Sequence, residues 1–448
     1  MLQPDTIVAR ATPPGVGAVA VVRLSGPDAL EILAGLTGAG ARSFDDRRAT
    51  LCTLRSPETS EAIDQCLVTV FRGPASYTGE DVVEISTHGG YLIPARVVAA
   101  CTVLGARPAD PGEFTQRSFL NGKVDLTQAE AVGALIRARA PRTAQAALHQ
   151  LDRGLGLRIS ALRESLLILQ AHLVQHLDFP EEDEAPLSLS QVAREARELA
   201  SGLGQLMDTA PAGELLREGA LTVLAGPPNS GKSSLFNALI GTDRAIVTEE
   251  AGTTRDALEA TVSVGGFPFR LVDTAGLRDD AGRIETLGIE VARRYLAEAD
   301  LVLFCREGAD PLAATDRDFL GSVRGPTLTV RTKADLGLPG DSDEGVRVSA
   351  LTGEGLSALR GAMVSLVFDG LVQHRDDAPV LTSARQAGLL ATALREVEGF
   401  AGALEEGVPA EVASAHLKEA ETALEEVLGL ITSDEILDRV FREFCIGK

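Results

Sequence analysis

The segment Gly226-Pro-Pro-Asn-Ser-Gly-Lys232-Ser233 constrains this chain more than any other feature. It matches G-x-x-x-x-G-K-[ST] and stands between an apolar run, Leu221 to Ala225, and helical texture from Ser234 to Ile240. That strand–loop–helix context is the one a phosphate-binding loop requires. Its glycines let successive backbone N–H groups wrap phosphates at a helix N-terminus, with Asn229, Ser230, Gly231 and Ser234 in the cradle. Lys232 supplies a point charge to the β/γ oxygens, and the Ser233 hydroxyl is a Mg²⁺ ligand. Downstream, Asp273-Thr274-Ala275-Gly276 closes the run Phe269 to Val272 and offers a second carboxylate toward the metal. Between the two lies Gly252-Thr253-Thr254-Arg255-Asp256, where a threonine completes the metal shell only while the γ-phosphate is present, as in a switch.

An ATPase would use the same parts, so base identity rests on Thr332-Lys333-Ala334-Asp335 and on Ser349-Ala350-Leu351. The Asp335 carboxylate matches the N1–H and N2–H₂ edge of guanine, which adenine lacks, so GTP is the expected nucleotide. Thr332 stands where this motif usually carries Asn. Its shorter side chain predicts weaker base affinity with the discrimination by Asp335 retained. Leu277 occupies the place where Ras-like switches carry the glutamine that orients water, so hydrolysis needs other assistance. An arginine finger contributes ~10³ to 10⁵ in rate, and a replacement must also bring positive charge. The amide oxygen of Asn229 offers a seat for K⁺ with switch carbonyls.

Around this unit the texture divides the chain. Residues 1–120 alternate short strand-like runs (Ala18 to Leu24, Cys66 to Phe71, Asp81 to Ser86) with Gly/Pro turns and a helix near Leu92 to Leu104. Residues 121–215 read as helical: Leu155, Ile159, Leu162, Leu166, Leu169, Leu173 and Leu177 form one stripe ending before Pro180 and the acidic turn Glu181 to Glu184. A second stripe runs from Val192 to Leu206, with Pro211 marking its exit. Residues 216–370 form a doubly wound α/β unit with candidate parallel strands at Leu221, Phe269, Leu301, Leu328 and Val346. Residues 371–448 return to helix, with Thr432 and Glu435 at capping-box spacing before Ile436, Leu437, Val440, Phe441 and Phe444. The expected fold class is α/β plus α: an N-terminal α/β domain and a helical domain into which a P-loop, Ras-like G domain is inserted.

A net charge of −22 excludes a protein that coats nucleic acid with its whole surface, though not one with a local basic face. Such a segment exists at 135–163, with six arginines against Asp152; tRNA contact and a solvated helix face both remain open for it. No apolar run reaches the ~18 to 20 residues of a membrane span. Five cysteines without a C-x-x-C pair indicate neither a disulfide framework nor a zinc site. These features, with no secretory signal, predict a cytoplasmic, non-membrane protein. Gly15-Val-Gly17 imitates a dinucleotide fingerprint, but a strand follows it where a helix is needed. Cys445-Ile-Gly-Lys448 imitates a prenylation box with an atypical last residue.

Together these motifs closely resemble the tRNA modification GTPase family (MnmE, also called TrmE), within the TrmE-Era-EngA-YihA-Septin-like GTPases. The resemblance covers essentially the whole chain through Thr6-Ile-Val-Ala, Ala11-Thr-Pro-Pro-Gly15, Arg23-Leu-Ser-Gly26, Ser76-Tyr-Thr-Gly-Glu80-Asp81, Thr87-His-Gly-Gly90, Pro111-Gly-Glu-Phe-Thr115, Asn121-Gly-Lys123, Asp178-Phe-Pro-Glu-Glu-Asp183, the GTPase set and Phe444-Cys-Ile-Gly-Lys448. It implies an N-terminal folate-binding and homodimerising domain. It also implies an FAD-dependent partner, MnmG, joined in a heterotetramer that adds an aminomethyl or carboxymethylaminomethyl group at C5 of the wobble uridine of certain tRNAs. Arg23, Glu80, Lys123 and Lys448 would contact 5-formyl- or methylene-tetrahydrofolate. Asn229, Thr248, Glu250 (through its carbonyl) and Thr253 would hold K⁺, and Ser233 and Thr254 would hold Mg²⁺. Glu285 resembles the catalytic glutamate that positions the attacking water through a bridging water. Cys445 matches the family's C-terminal cysteine, a candidate for the modification chemistry. Two other classes compete: a regulatory switch without folate chemistry, and a ribosome-assembly GTPase, which would need a basic RNA-binding module after the G domain.

Overall fold

The computed structural model describes residues 5–40, 43–178, 188–242, 259–273, 294–307, 314–337, 345–372, 380–442 and 444–448. The chain divides into two compact units, residues 1–133 with 428–448, and residues 134–427.

In the first unit the described strands are β1 (Ile7–Arg10), β2 (Val19–Ser25), β3 (Thr50–Arg55), β4 (Ala62–Phe71), β5 (Val82–His88) and β6 (Arg107–Pro108), ordered β3-β4-β5-β2-β1-β6. Every pairing is antiparallel except β1 with β6. Side chains alternate across the sheet, so Cys66, Val68 and Val70 of β4 enter the core while Leu67 faces out. Helices Ala29–Thr37 and Leu92–Val103 cover the buried face through Ile32, Leu33, Leu36 and Val97. The three runs expected from the sequence are β2, β4 and β5. β1, β3 and β6 escaped notice because they are short or half-exposed and carry no sustained alternation. Helix Asp434–Arg442 belongs to this unit, and its Leu437 and Phe441, with Phe444 beyond its end, pack on Leu126 and Ala129. Its first turn is held by Ser433, whose hydroxyl accepts from the Ile436 N–H at 3.4 Å, one residue beyond the expected cap Thr432.

In the second unit the Leu stripe forms one helix, Gly154–Asp178, with Leu155, Ile159, Leu162, Leu166, Leu169 and Leu173 buried. Helix Leu189–Met207 opens with a capping box, the Ser188 N–H donating to Gln191 Oε1 at 2.8 Å. Pro211 departs from expectation: it lies in the first turn of a further helix, Ala210–Glu218, where a missing N–H costs nothing. The second sheet comprises β7 (Ala220–Ala225), β8 (Glu259–Val264), β9 (Phe267–Asp273), β10 (Leu301–Glu307), β11 (Thr327–Thr332) and β12 (Val346–Arg347), ordered β12-β11-β10-β7-β9-β8. The five expected strands pair in parallel, and β8 adds an antiparallel edge. Every residue of β7 is buried, as a central parallel strand covered on both faces demands. Chain order reverses across β7, so its carboxyl end is the crevice where doubly wound sheets bind ligands.

Candidate functional site

The carboxyl end of β7 leads into the loop at Gly226, which no other residue could replace. Its φ is +134°, and a Cβ there would lie 2.0 Å from the carbonyl oxygen of Cys305 on the neighbouring strand. Asn229 at the exposed tip takes φ +61°, a left-handed conformation that Asn tolerates better than most residues. Helix Lys232–Thr242 starts directly after, with the Leu235 N–H bonded to the Gly231 carbonyl. Buried Lys232 folds its ammonium over the loop and donates to the carbonyls of Gly226 at 3.1 Å and Pro227 at 2.7 Å. Ser234 is exposed on the first turn.

The β7–β9 register sets Leu224 opposite Asp273, which brings the Asp273 carboxylate to the loop. The Ser233 hydroxyl donates to Asp273 Oδ2 at 2.7 Å. A hydroxyl and a carboxylate side by side are the hard oxygen donors that Mg²⁺ takes. The two residues expected to meet at the metal are therefore together.

Thr332 ends β11, buried beside the phosphate loop. Its hydroxyl lies 2.7 Å from the carbonyl of Ser230 and 3.1 Å from that of Arg306. Gly231 passes close enough that a Cβ would sit 3.3 Å from the Thr332 side chain. The expected penalty for lost reach toward the base thus has a counterpart: the hydroxyl ties the guanine-motif strand to the phosphate loop. Lys333 follows at φ +59° and pairs with Glu307. Asp335 is exposed in the one-turn helix Ala334–Leu336, and the fully buried Ser349 donates to its Oδ1 at 2.6 Å. One carboxylate edge is fixed by Ser349, and the side chain is open to solvent. Ser349 is held in turn by the Thr352 N–H, and Ala350 follows it in the same turn. Thr248, Glu250, Thr253, Thr254, Thr274, Ala275, Gly276 and Glu285 lie outside the described residues, as does the acidic turn 181–184.

The first unit carries a second cluster. Arg23 on β2 donates to Glu84 Oε1 from Nε at 3.0 Å and Nη2 at 2.7 Å, and from Nη1 to the Gly447 carbonyl at 3.2 Å. Its guanidinium lies over the rings of Tyr77 and Phe114 at 5.5 and 5.7 Å. Glu84 and Tyr77 also line a cavity of about 450 Å³ with Lys123, Arg47, Phe71 and Val82. Burial, and then the nearby charge of Arg23, hold the Lys448 ammonium below its ordinary value. Glu80 faces a charged network: it accepts from Ser25 at 2.7 Å and from fully buried Arg117, which also binds Asp5 and Glu113. The cations Arg23, Arg47, Lys123 and Lys448 with the rings of Tyr77 and Phe71 form a set that suits an anionic aromatic molecule. Sequence reasoning missed Glu84, Tyr77, Phe71 and Arg47; Tyr77 lay inside the quoted Ser76–Asp81 motif, whereas Arg47 sits in irregular chain with no pattern to mark it. Gly447 is a fixed point of the C-terminal motif, since a Cβ on it would lie 2.6 Å from the Arg10 carbonyl at φ +96°. Cys445 is exposed, and its carbonyl accepts from the Lys448 N–H at 3.3 Å.

The Arg-rich segment also finds protein partners in the second unit. The Arg142 N–H donates to the Gly266 carbonyl at 3.0 Å, its guanidinium lies 5.6 Å over the Phe267 ring, and Arg139 donates to Thr261. Arg163 pairs with Glu425.

Comparison with known proteins accords with this geometry. The family described as MnmE helical domain matches residues 126–445, and that described as GTP-binding protein TrmE N-terminus matches residues 6–123. A tRNA modification GTPase MnmE of Akkermansia muciniphila is 42% identical over 453 residues, spanning 100% of both chains. Proteins of the same description from Moorella thermoacetica and Lactobacillus johnsonii are 40% and 38% identical, covering 99% and 100% of this chain and 99% of each relative. With full-length identity of this order added to a phosphate loop and a guanine motif that departs only at Thr332, the chain belongs to the tRNA modification GTPase MnmE family.

Proposed function

We propose that this GTPase hydrolyses GTP in a K⁺-dependent cycle and that, as a homodimer in the cytoplasm bound to an FAD-dependent partner, it modifies C5 of the wobble uridine of certain tRNAs with a folate one-carbon unit. The observation that carries the nucleotide part is the Thr332–Ser230 bond, which sets the guanine motif and the phosphate loop side by side. Asp335, held by Ser349, accepts from the guanine edge, and GTP should outcompete ATP by about tenfold or more because adenine leaves that carboxylate unpaired. Lys232 holds the β/γ oxygens. Ser233 and Asp273, with Thr254, hold Mg²⁺, which when bound neutralises charge on the transferring phosphoryl. Asn229, Thr248, the Glu250 carbonyl and Thr253 hold K⁺ in place of an arginine finger, and Glu285 positions the attacking water. Arg23, Glu80, Lys123 and Lys448 would bind the folate, and Tyr77 and Phe71 offer it aromatic surface in the same cavity. Cys445 lies next to this cluster in sequence and acts in the modification step.

The deciding experiment is nucleoside analysis of tRNA from cells lacking the protein. Loss of the wobble modification is expected, and an intact modification would defeat the assignment. Two in vitro arms test the parts. Exchange of K⁺ for Na⁺ should collapse hydrolysis, and Glu285→Ala should retain GTP while hydrolysing it poorly. Folate binding to the purified chain separates this reading from a switch without folate chemistry.

A further inference from the structure

Two of the five cysteines face each other across an edge of the first unit's sheet. In the β3–β4 register Cys52 stands directly opposite Cys66. Both lie on the core side: Cys66 is 4% exposed within the core, and Cys52 packs against that core half-buried. Directly opposed residues of an antiparallel pair have Cβ atoms about 4.5–5.5 Å apart, and a disulfide needs about 3.5–4.5 Å. Closing the gap therefore takes an adjustment of about 1 Å. The adjustment falls on β3, which is the sheet's edge strand and is paired on one side only.

The other cysteines have no such placement. Cys101 and Cys305 are fully buried, and burial pushes both thiols up to about 12. Cys445 is exposed in the C-terminal motif, far in sequence from β3 and β4. Within the pair, the two thiols are unequal. Interaction with Cys66 pulls the Cys52 thiol below its ordinary value against the effect of burial, whereas Cys66 is pushed up by Cys52 and then by burial. Cys52 is thus the accessible, more readily ionised member and Cys66 the shielded one.

We propose that Cys52 and Cys66 form a thiol-modification site that a two-electron oxidant of the peroxide class converts into a cross-strand disulfide. The Cys52 thiolate attacks one oxygen of hydrogen peroxide; the O–O bond breaks, and hydroxide leaves and is protonated to water. Cys52 is then a sulfenic acid. The Cys66 sulfur attacks Cys52 Sγ, an S–S bond forms as the S–O bond breaks, and the second water leaves with the Cys66 proton. Two electrons from the two sulfurs reduce one peroxide to two waters. The product staples the edge strand to its neighbour, and a dithiol reductant reverses it. This site is independent of the nucleotide reading.

The test uses the purified full chain, treated with a small molar excess of hydrogen peroxide, alkylated under denaturing conditions, digested and mapped by mass spectrometry. The expected product is a Cys52–Cys66 linked peptide pair lacking two hydrogen atoms, released by dithiothreitol. Cys66→Ser should instead leave Cys52 as a sulfenic acid that dimedone traps, and Cys52→Ser should leave Cys66 a free thiol. Recovery of both residues as alkylated thiols while Cys445 is oxidised would overturn the proposal. So would over-oxidation of Cys52 to sulfinic acid beside an unmodified Cys66 in the native chain. The mapping of the unsubstituted chain decides the matter even if a serine variant folds poorly.

Discussion

Thr332 illustrates how one atom decides a local arrangement. A single hydroxyl, buried at the end of β11, reaches the Ser230 carbonyl and so couples the base-reading strand to the phosphate loop. Thr332→Val keeps the volume and removes the donor, leaving a buried carbonyl short of a partner at a cost of about 1–3 kcal/mol. GTP affinity should fall by roughly 5- to 150-fold with ATP discrimination intact; unchanged affinity by titration would remove Thr332 from the coupling. A second residue-scale prediction concerns Glu113. Burial alone would raise its carboxyl, but hydrogen bonds from Arg107, the Asp110 N–H and Arg117 outweigh burial and hold it below the ordinary value. Asp5 is depressed in the same way by Arg107 and Arg117. Groups depressed in the folded state contribute stability above their unfolded values, about 4.3 and 3.9, and lose it as pH falls through the folded values. The first unit's denaturant midpoint should therefore drop on acidification below about pH 4. Glu113→Gln should flatten that drop and cost about 3–5 kcal/mol at neutral pH, because Arg117 is left buried without its full complement.

At the scale of elements, the hairpin of β8 and β9 is the connection between the two switch segments: β8 begins after the Gly252–Asp256 motif, and β9 ends on Asp273. Its turn is seated on the start of helix Pro141–Leu151. A helix leaves its first-turn N–H groups without an intrahelical acceptor, and the Arg142 N–H finds one in the Gly266 carbonyl. Arg142→Ala keeps that backbone bond but removes the guanidinium from Phe267, a loss of about 0.5–2 kcal/mol. Amide exchange in β8 and β9 should accelerate by roughly 2- to 30-fold, and unaltered exchange would show that the contact carries no strain between helix and hairpin. The basic segment shows what sequence can and cannot express. Its arginines were visible, but nothing in one dimension says that Arg142 meets an aromatic ring more than 120 residues away in the chain. Local signals fared better: the phosphate loop, the Leu stripe and β7 are each written in contiguous residues, and each formed as expected. β8 and the Glu84–Arg23 pair depend on partners supplied by other strands, so no local pattern marks them.

At the scale of the molecule, charge sets how the protein meets RNA. With a net charge of −22 and several arginines of the basic segment already engaged, the isolated chain should bind tRNA weakly. The affinity that remains should fall about tenfold or more for a roughly fourfold rise in salt, as two or more phosphate contacts require. Filter binding across a salt series checks this, and tight, salt-insensitive binding would contradict it. Addition of the proposed flavoenzyme partner should tighten the complex. Organisation, too, emerges only at this scale. The first unit is closed by residues 428–448, which bring Phe441 and Phe444 to Leu126 and the Gly447 carbonyl to Arg23. During synthesis those residues emerge only after 134–427 have been made, a delay of about 15 to 60 s at ~5–20 residues per second. Until then the nascent N-terminal segment must wait with Leu126 and Ala129 uncovered, while the nucleotide-binding unit is free to fold. The ribosome thus delivers the nucleotide-binding unit before the residues that close the Arg23 cluster, and a chain interrupted in between carries in its first unit an open hydrophobic seam that chaperones and proteases can recognise.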